Sequence, residues 1–254
     1  MVAALETVPL FYEDFYRREL EAWVDALVED ARFGPCLVLS GTLCHPHGGG
    51  QKGDRAWLVL SPAEAAALGV MPGTEAGAEP ALPIVDTRRA DGRILHVLGA
   101  APLIPERAEA LLVGSRPFAL RLDWDFRHRQ MRLHSAAHLL HCFVEQALGR
   151  PVDYPETSDL QPDYGLNRYE RKELLTPAQM EGVLETLNEF IAAGHAIVTS
   201  PDPEREGYRF WRCEQWVIPC GGTHPADTRE IGTVRAELSL KRGRTSMTFR
   251  VGGR

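Results

Sequence analysis

The sequence lacks any Cys-x-x-Cys pair, although it contains five cysteines among 254 residues. Cys36, Cys44, Cys142 and Cys213 have neither the spacing nor the histidine partner that a zinc finger requires. We therefore expect these four thiols to be small buried hydrophobic groups. Cysteines without a paired pattern favour a reducing compartment. The N-terminus has no apolar run long enough for a signal peptide or a membrane span, so the sequence predicts a cytoplasmic protein without a membrane partner.

The chain also lacks an excess of positive charge, because its formal net charge is −7. Nonspecific binding to nucleic acid comes mainly from phosphate neutralisation by Lys and Arg, so DNA is not an expected partner. The acidity is concentrated in residues 1–120, which carry 10 basic and 16 acidic groups, whereas residues 121–254 carry 18 and 19. Two stretches, 127–132 and 241–254, are locally basic, and we expect them to offer patches for a defined RNA end.

Two histidines four residues apart, His134 and His138, lie in a segment of strong helical character. Positions i and i+4 share one face of a helix, so both imidazoles should point the same way. The residues between them are Ser-Ala-Ala, without the glutamate that serves as general base in zinc peptidases of this spacing. The pattern therefore excludes that peptidase mechanism and leaves a possible metal site.

A second pair, Cys220 and His224, encloses Gly-Gly-Thr in a turn between two prolines. Glycines let the backbone fold tightly enough for a thiolate and an imidazole to converge. One sulfur and three nitrogen ligands suit tetrahedral zinc, so the two pairs together predict a Zn²⁺ site. Four protein ligands bound at once would make a closed site, which leaves open whether one ligand yields or zinc expands its coordination. A metal-free site in which His and Cys position water is the other interpretation.

The first half of the chain indicates a β-rich domain over residues 1–120. Short apolar runs bounded by Gly, Pro and Asp predict strands at 35–41, 56–60 and 93–98, which a small barrel would accommodate. Residues 15–28 fit a helix or a strand equally well. Alanine, glycine and proline dominate 61–83, which we interpret as a surface insertion without assigned structure.

Residues 121–254 indicate an α+β domain. A helix is predicted from 131 to 148, with Gly149 and Pro151 as stop signals, and another from Pro177 to 193 after a Thr176 N-cap. Strands are predicted at 196–199, 214–218, 232–238 and 245–251.

The glycine cluster at 48–54 reads Gly-Gly-Gly-Gln-Lys-Gly-Asp and satisfies the pattern G-x-G-x-x-G. Dinucleotide binding by that pattern requires a helix immediately afterwards, whereas residues 55–60 read as a strand. A glycine turn that presents Gln51 is therefore the better interpretation.

Four ordered motifs resemble freestanding alanyl-tRNA editing proteins and the editing domain of alanyl-tRNA synthetase. They are Leu-Phe-Tyr-Glu-Asp at 10–14, Gly-Gly-Gly-Gln-x-x-Asp at 48–54, Arg-Leu-His-Ser-Ala-Ala-His-Leu-Leu at 132–140, and Cys-Gly-Gly-Thr-His at 220–224 continuing to Glu-Ile-Gly at 230–232. The likeness extends from about residue 9 to the end. The editing domain of threonyl-tRNA synthetase is similar only in the second half.

The resemblance implies a β-barrel-like domain beside an α+β editing domain. It implies that His134, His138, Cys220 and His224 are the metal ligands, and that His134, His138, Cys220 and Gln51 form the catalytic set. Gln51 would either support a ligand or face the substrate. Thr42 would contact the substrate side chain, and Gly49, Gly50, Gln51 and Asp54 are assigned to substrate binding with it.

The implied reaction is hydrolysis of the ester between a wrong small amino acid and the 3′ end of tRNA, with zinc as cofactor and aminoacylated tRNA as partner. Seryl- or glycyl-tRNA(Ala) is the first expectation, because a pocket shaped for alanine cannot strongly exclude these two amino acids. The family commonly has Phe, Tyr and Glu where this chain has Cys44, His45 and His47, which leaves threonine or a threonine-like amino acid as an alternative. A non-catalytic aminoacyl-tRNA binding module and a zinc hydrolase for another ester remain open, as does the oligomeric state.

Overall fold

The computed structural model describes residues 6–70, 79–99, 105–170, 174–241 and 243–252. The chain forms two compact units. The first consists of Met1–His47 and Lys52–Arg127, and the second of Gly48–Gln51 and His128–Arg254. Helices and mainly antiparallel sheets occur in the same chain, so the α+β class predicted from the sequence is confirmed.

The first unit contains a closed six-stranded barrel with the strand order β2-β3-β7-β6-β5-β8. Its elements are β1 Val8–Pro9, a 3-10 helix Leu10–Tyr12, β2 Glu19–Asp30, β3 Gly34–Leu39, β4 Gly41–Thr42, β5 Ala56–Val59, α1 Pro62–Leu68, β6 Ala81–Ala90, β7 Arg93–Leu98, α2 Pro105–Leu112 and β8 Pro117–Leu122. β1 pairs with β4 in parallel. The strands predicted at 35–41, 56–60 and 93–98 correspond to β3 with β4, to β5 and to β7.

The ambiguous segment 15–28 becomes most of β2. Leu20, Ala22 and Val24 are buried in alternation, whereas Trp23 is exposed, as a strand with one face on the core requires. Pairing of β2 with both β3 and β8 fixes this register. The helical alternative was viable from the sequence because only these long-range pairs decide against it.

The segment 61–83, interpreted as a surface insertion without assigned structure, contains regular structure at both ends. Helix α1 begins after Ser61, whose hydroxyl accepts a hydrogen bond from the Glu64 backbone N–H while the Glu64 carboxylate accepts from the Ser61 N–H. This capping box satisfies two backbone donors that the first helical turn leaves open. At the other end, β6 already begins at Ala81. Residues 71–78 lie outside the described ranges.

A buried histidine lies inside the barrel. His96 is fully buried, its Nδ1 lies 3.1 Å from the Leu37 carbonyl oxygen, and its Nε2 lies 2.7 Å from the Thr42 hydroxyl. The Leu37 carbonyl can only accept, so Nδ1 carries the proton and the Thr42 hydroxyl donates to Nε2. Burial lowers the pKa of His96 to about 4, and the hydrogen bond to Leu37 only partly offsets this effect.

We expect acid to destabilise the protein through His96. The unfolded chain takes up a proton on this residue below about pH 6.5, whereas the folded protein does not until about pH 4. The stabilising contribution is therefore complete above pH 6.5, and about 3 kcal/mol of it is lost by pH 4. Urea unfolding between pH 4 and 7 should show a shallower loss of unfolding free energy for His96→Gln than for the wild type. Equal slopes for the two proteins would contradict this linkage.

The second unit contains a four-stranded sheet in the order β14-β15-β10-β9 and a three-stranded sheet in the order β11-β12-β13. The remaining elements of the chain are α3 Trp124–Leu148, β9 Thr157–Leu160, β10 Gly165–Tyr169, α4 Pro177–Ala193, β11 Val198–Pro201, β12 Arg209–Cys213, β13 Trp216–Pro219, a 3-10 helix Thr228–Ile231, β14 Val234–Lys241 and β15 Arg244–Val251. The predicted helix from Pro177 and its Thr176 N-cap are confirmed, and Thr176 also forms a capping box with Gln179. Cys36, Cys44, Cys142 and Cys213 are buried, as predicted.

Helix α3 begins seven residues before the predicted start at 131. The whole basic stretch 127–132 therefore lies within this helix. Arg132 is buried, and its guanidinium donates to the Ile231 and Gly252 carbonyl oxygens. Arg127 is fully buried and pairs with Asp54. The prediction of an RNA-facing patch at 127–132 is therefore wrong for two of its three arginines. Of the other basic stretch, 242 and 253–254 lie outside the described ranges.

Across the described residues, no helix combines the length and the apolar composition needed to span a membrane.

Candidate metal centre

Four side chains of the types that bind metal ions converge in the second unit. His134 and His138 come from α3, and Cys220 and His224 come from the turn that follows β13. Their ligand atoms all lie within 4.8 Å of one another. The Cys220 Sγ atom is 3.5 Å from His134 Nε2 and 3.3 Å from His224 Nε2. In the part of the chain that the structure describes, no other group of three or more His, Cys, Asp or Glu side chains converges in this way.

The side chain of Gln51 fixes His134. Its Oε1 accepts hydrogen bonds from the Thr223 backbone N–H at 3.0 Å and from His134 Nδ1 at 3.0 Å, and its Nε2 donates to the Thr223 hydroxyl at 2.8 Å. Because a backbone N–H can only donate, the amide orientation is determined and His134 is protonated at Nδ1. The lone pair on His134 Nε2 is therefore directed toward the cluster. Of the two roles considered for Gln51, these contacts support the one that positions a ligand.

His224 is held in the same manner. Its Nδ1 lies 2.9 Å from the hydroxyl of Ser135, the residue that follows His134 in α3. Metal-binding histidines almost always engage the second ring nitrogen in such a bond, which fixes the tautomer and the ring orientation. Both histidines therefore have the supporting contacts that a metal site requires.

Burial disfavours the charged forms of two members of the cluster, Cys220 and His138. It raises the pKa of the Cys220 thiol to about 11, although the Gly222 N–H lies 3.4 Å from the sulfur and acts in the opposite direction. Burial also holds the pKa of His138 well below its usual value, and the neighbouring His134 and His141 contribute in the same direction. A bound cation would favour the thiolate of Cys220 and the neutral form of the imidazoles, because these are the forms that bind a metal.

One further observation, at His138, supports metal binding by these residues. The Nε2 atom of His138 is completely buried and has no hydrogen-bond partner among the described residues. A buried nitrogen without a partner is costly, and such exceptions in a folded protein call for an explanation. A metal ion at the centre of the four side chains supplies the missing partner, so the cluster can bind a metal ion.

A glycine makes the close approach of these elements possible. A Cβ atom placed on Gly222 would lie 2.2 Å from His134 Cε1 and 2.8 Å from Gln51 Oε1. Gly50 has a similar role, because it adopts a φ of +85° and a Cβ there would lie 2.4 Å from the Ser158 carbonyl oxygen. The glycines of the two sequence motifs therefore allow the turn and the Gln51 segment to pack against their neighbours.

A cavity of about 390 Å³ lies beside the cluster. The two α3 histidines of the cluster, His134 and His138, line it, and so do Gly49, Ser158, Asn167 and His141. Ser158 Oγ donates to Asn167 Oδ1 at 2.8 Å, which gives the cavity one polar wall. A substrate group in this cavity would lie directly against the candidate ligands.

Several of these residues were not selected from the sequence. His141 was accessible to sequence reasoning, because it follows His138 by three positions and shares its helix face. Ser135 and Thr223 lie inside the quoted motifs, but nothing in their spacing marks them as supports. Ser158 and Asn167 carry no sequence signal, since their position depends on the pairing of β9 with β10.

The chain is similar to known proteins over most of its length. The chain is 27% identical over 245 residues to the alanyl-tRNA editing protein AlaX-M of Pyrococcus horikoshii, and the alignment covers 94% of each chain. It is also 27% identical to the protein of the same name from Methanosarcina mazei, again with 94% of each chain covered. The alanine–tRNA ligase of Pyrobaculum neutrophilum matches 91% of this chain at 27% identity over only 25% of its own length.

The chain is therefore similar, over almost its whole length, to proteins named as alanyl-tRNA editing proteins. The likeness found in the four motifs is thereby confirmed over almost the whole length. No protein-family model matches the chain.

Two residues that the likeness to alanyl-tRNA editing proteins assigns to substrate binding are buried in the first unit. The Thr42 hydroxyl donates to His96 and accepts from the Cys44 N–H at 3.0 Å. The Asp54 carboxylate forms an ion pair with Arg127 and accepts from the His45 N–H at 2.6 Å. Both side chains therefore have structural partners in this unit, and their contact with substrate stays a prediction.

Proposed function

We propose that this protein is a trans-editing aminoacyl-tRNA hydrolase, which removes a wrong amino acid from tRNA by cleaving the ester at its 3′ end. The observation that carries the proposal is the His134, His138, Cys220 and His224 cluster beside a cavity of about 390 Å³, in a chain similar to alanyl-tRNA editing proteins. An ester hydrolase with a metal site needs no serine nucleophile. We propose that residues 121–254, together with Gln51, carry out this chemistry. Residues 1–120 would form a barrel-like domain.

Serine esterified to alanine tRNA is the proposed substrate, with glycine as the second choice. A synthetase pocket shaped for alanine rejects glycine and serine poorly, so a second site must hydrolyse those products. The Ser158 and Asn167 pair supports the choice of serine, because it offers hydrogen-bonding groups to a hydroxylated side chain. Threonine and threonine-like amino acids also carry a hydroxyl and remain the alternative substrates.

We infer that the metal is zinc. With Zn–S and Zn–N bonds of about 2.3 and 2.0 to 2.1 Å, a tetrahedral site separates sulfur from nitrogen by about 3.5 Å. For two ligand pairs, Cys220 Sγ to His134 Nε2 and Cys220 Sγ to His224 Nε2, the distances are 3.5 and 3.3 Å. All four candidate ligand atoms lie within 4.8 Å of one another. His134, His138, Cys220 and His224 would hold the ion, which when bound supplies Lewis acidity toward the ester carbonyl and toward an attacking water.

The protein's own groups prepare the site for the ester. Gln51 keeps the proton of His134 on Nδ1, and the Ser135 hydroxyl holds the His224 ring. His138 and Gly49 line the cavity, where the aminoacyl group would lie. The apolar side chains of Ala137 and Ile218 line the same cavity and exclude water from part of it.

The experiment that tests this function compares hydrolysis of intact seryl-tRNA with hydrolysis of free serine methyl ester. We expect turnover of the charged tRNA with a much larger kcat/KM, because the tRNA supplies binding energy that a free ester lacks. Comparable kcat/KM values on both substrates would indicate a hydrolase for other esters. Binding of charged tRNA without turnover would indicate a binding module and contradict the proposed activity.

Replacement of Thr42 by valine tests its assignment to substrate recognition. The change leaves the His96 Nε2 acceptor and the Cys44 N–H donor without their partner, so we expect a loss of about 1 to 3 kcal/mol in unfolding free energy. Urea unfolding measures this loss, and kcat/KM on seryl- and glycyl-tRNA measures recognition. A loss confined to seryl-tRNA at unchanged stability would instead assign the Thr42 hydroxyl to the substrate.

A further inference from the structure

An exposed tyrosine lies at the edge of the cavity beside the candidate metal ligands. Tyr154 lines the same cavity as His134 and His138, and 59% of its surface is exposed. One face of its ring stacks on His141, with ring centroids 4.9 Å apart and an angle of 28° between the planes. The opposite face is therefore open to a planar ligand that enters the cavity.

The surroundings hold this ring in place. His141 stacks in turn on the buried Tyr169, with centroids 6.0 Å apart and an angle of 12°, and its Nδ1 lies 3.3 Å from the Tyr169 hydroxyl. The Glu145 carboxylate accepts a hydrogen bond at 2.8 Å from the Val152 N–H, two residues before Tyr154. A ring positioned before binding loses little conformational entropy when a ligand stacks on it.

The surface next to Tyr154 carries hydrogen-bond acceptors that a planar ligand could use. A second cavity of about 370 Å³ is lined by Tyr154 and Tyr169 together with the acidic side chains of Asp153, Glu156 and Glu170. Arg244 lies 3.6 Å from Glu156 and 3.2 Å from Glu170. The carboxylate oxygens can accept hydrogen bonds from an exocyclic amine.

We propose that the open face of Tyr154 stacks against the terminal nucleobase of the aminoacylated 3′ end, a purine that carries an exocyclic amine. This inference rests on the proposed function, because only an aminoacyl-tRNA places a base one ribose away from the ester. Every base has a π face, and stacking on an aromatic side chain contributes substantially to the binding of single-stranded ends. Tyr154 would thus hold the end of the tRNA while the ester lies at the metal cluster.

The test measures kcat and KM for the wild type, Tyr154→Ala, Tyr154→Phe and Tyr208→Ala. Tyr208 is a matched control, because it is 58% exposed in the same unit and lies outside both cavities. The substrates are seryl-tRNA, seryl-adenosine and serine methyl ester, which has no base. We expect Tyr154→Ala to lower kcat/KM about 5- to 150-fold on the two substrates with a base, mainly through KM, and to change the methyl ester less than about twofold.

Tyr154→Phe should recover most of the loss, because the aromatic face remains. An equal loss on the methyl ester would show that Tyr154 supports the fold or the metal cluster, and would overturn the proposal. So would an unchanged kcat/KM on all substrates, or an equal loss in Tyr208→Ala.

Binding of a non-hydrolysable seryl-amido-adenosine, measured by calorimetry in all four proteins, separates this inference from the proposed function. If the wild type hydrolyses no ester but binds the analogue, and Tyr154→Ala loses that affinity, the proposed activity fails and the base-stacking role stands. If the wild type does not bind the analogue, the stacking role is overturned, whatever the hydrolysis rates show.

Discussion

Cys220→Ala is expected to abolish both metal binding and deacylation. The substitution removes the only sulfur ligand and leaves three imidazoles, while the small side chain disturbs the turn little. Loss of a group that merely supports a ligand typically costs 10- to 100-fold in metal affinity or activity, so loss of a ligand should cost more than about 100-fold. Metal analysis of the purified protein and deacylation of seryl-tRNA measure the two effects.

Cys213→Ala is the matched control, since it removes a buried thiol of the same unit that lies outside the cluster. It should retain about one zinc per chain and wild-type deacylation. If the native protein were fully active without metal, zinc would have no part in the reaction, and His138 and Cys220 would have to position water themselves. Retention of both metal and activity in Cys220→Ala would contradict the ligand set.

Gly222→Ala is expected to have the second largest effect. The new methyl group would lie 2.2 Å from His134 Cε1, so the imidazole must leave its present position and lose the bond to Gln51. Displacement of a ligand together with its supporting contact should lower metal affinity and kcat/KM by at least 10- to 100-fold. Zinc titration with a competing chelator and single-turnover deacylation measure the change.

Gly182→Ala provides the comparison, because a Cβ at this position in α4 meets no atom within 4 Å. This substitution should leave the site intact and stabilise the helix by up to about 1 kcal/mol. If Gly222→Ala bound metal and substrate as the wild type does, His134 would not need the position in which the structure holds it.

The sequence predicts the convergence of these four side chains because the spacings within each pair are short. Two histidines four apart on a helix, and a cysteine and histidine four apart in a glycine turn, each define a local geometry before any tertiary contact forms. The structure brings both pairs together, as predicted. The sequence could not show whether Gln51 supports His134 or contacts the substrate. Its partner Thr223 lies 172 residues away along the chain.

Long-range pairing also explains what was missed in the fold. Strand β12, Arg209–Cys213, mixes charged and aromatic residues without a clear period, and its pairs with β11 and β13 define it. Arg127 looks like a surface cation in sequence, yet it pairs with Asp54, 73 residues away, inside the first unit. Local composition carries no information on such a pair, because the buried charges compensate each other only in the folded protein.

The most direct measurement of the central claim is the deacylation of one alanine tRNA charged in turn with serine and with alanine. The zinc-loaded protein should hydrolyse seryl-tRNA(Ala) with a kcat/KM about 100-fold or more above that for alanyl-tRNA(Ala), because a site that hydrogen-bonds a hydroxyl discriminates strongly against a substrate without one. Equal rates on the two tRNAs would contradict an editing function.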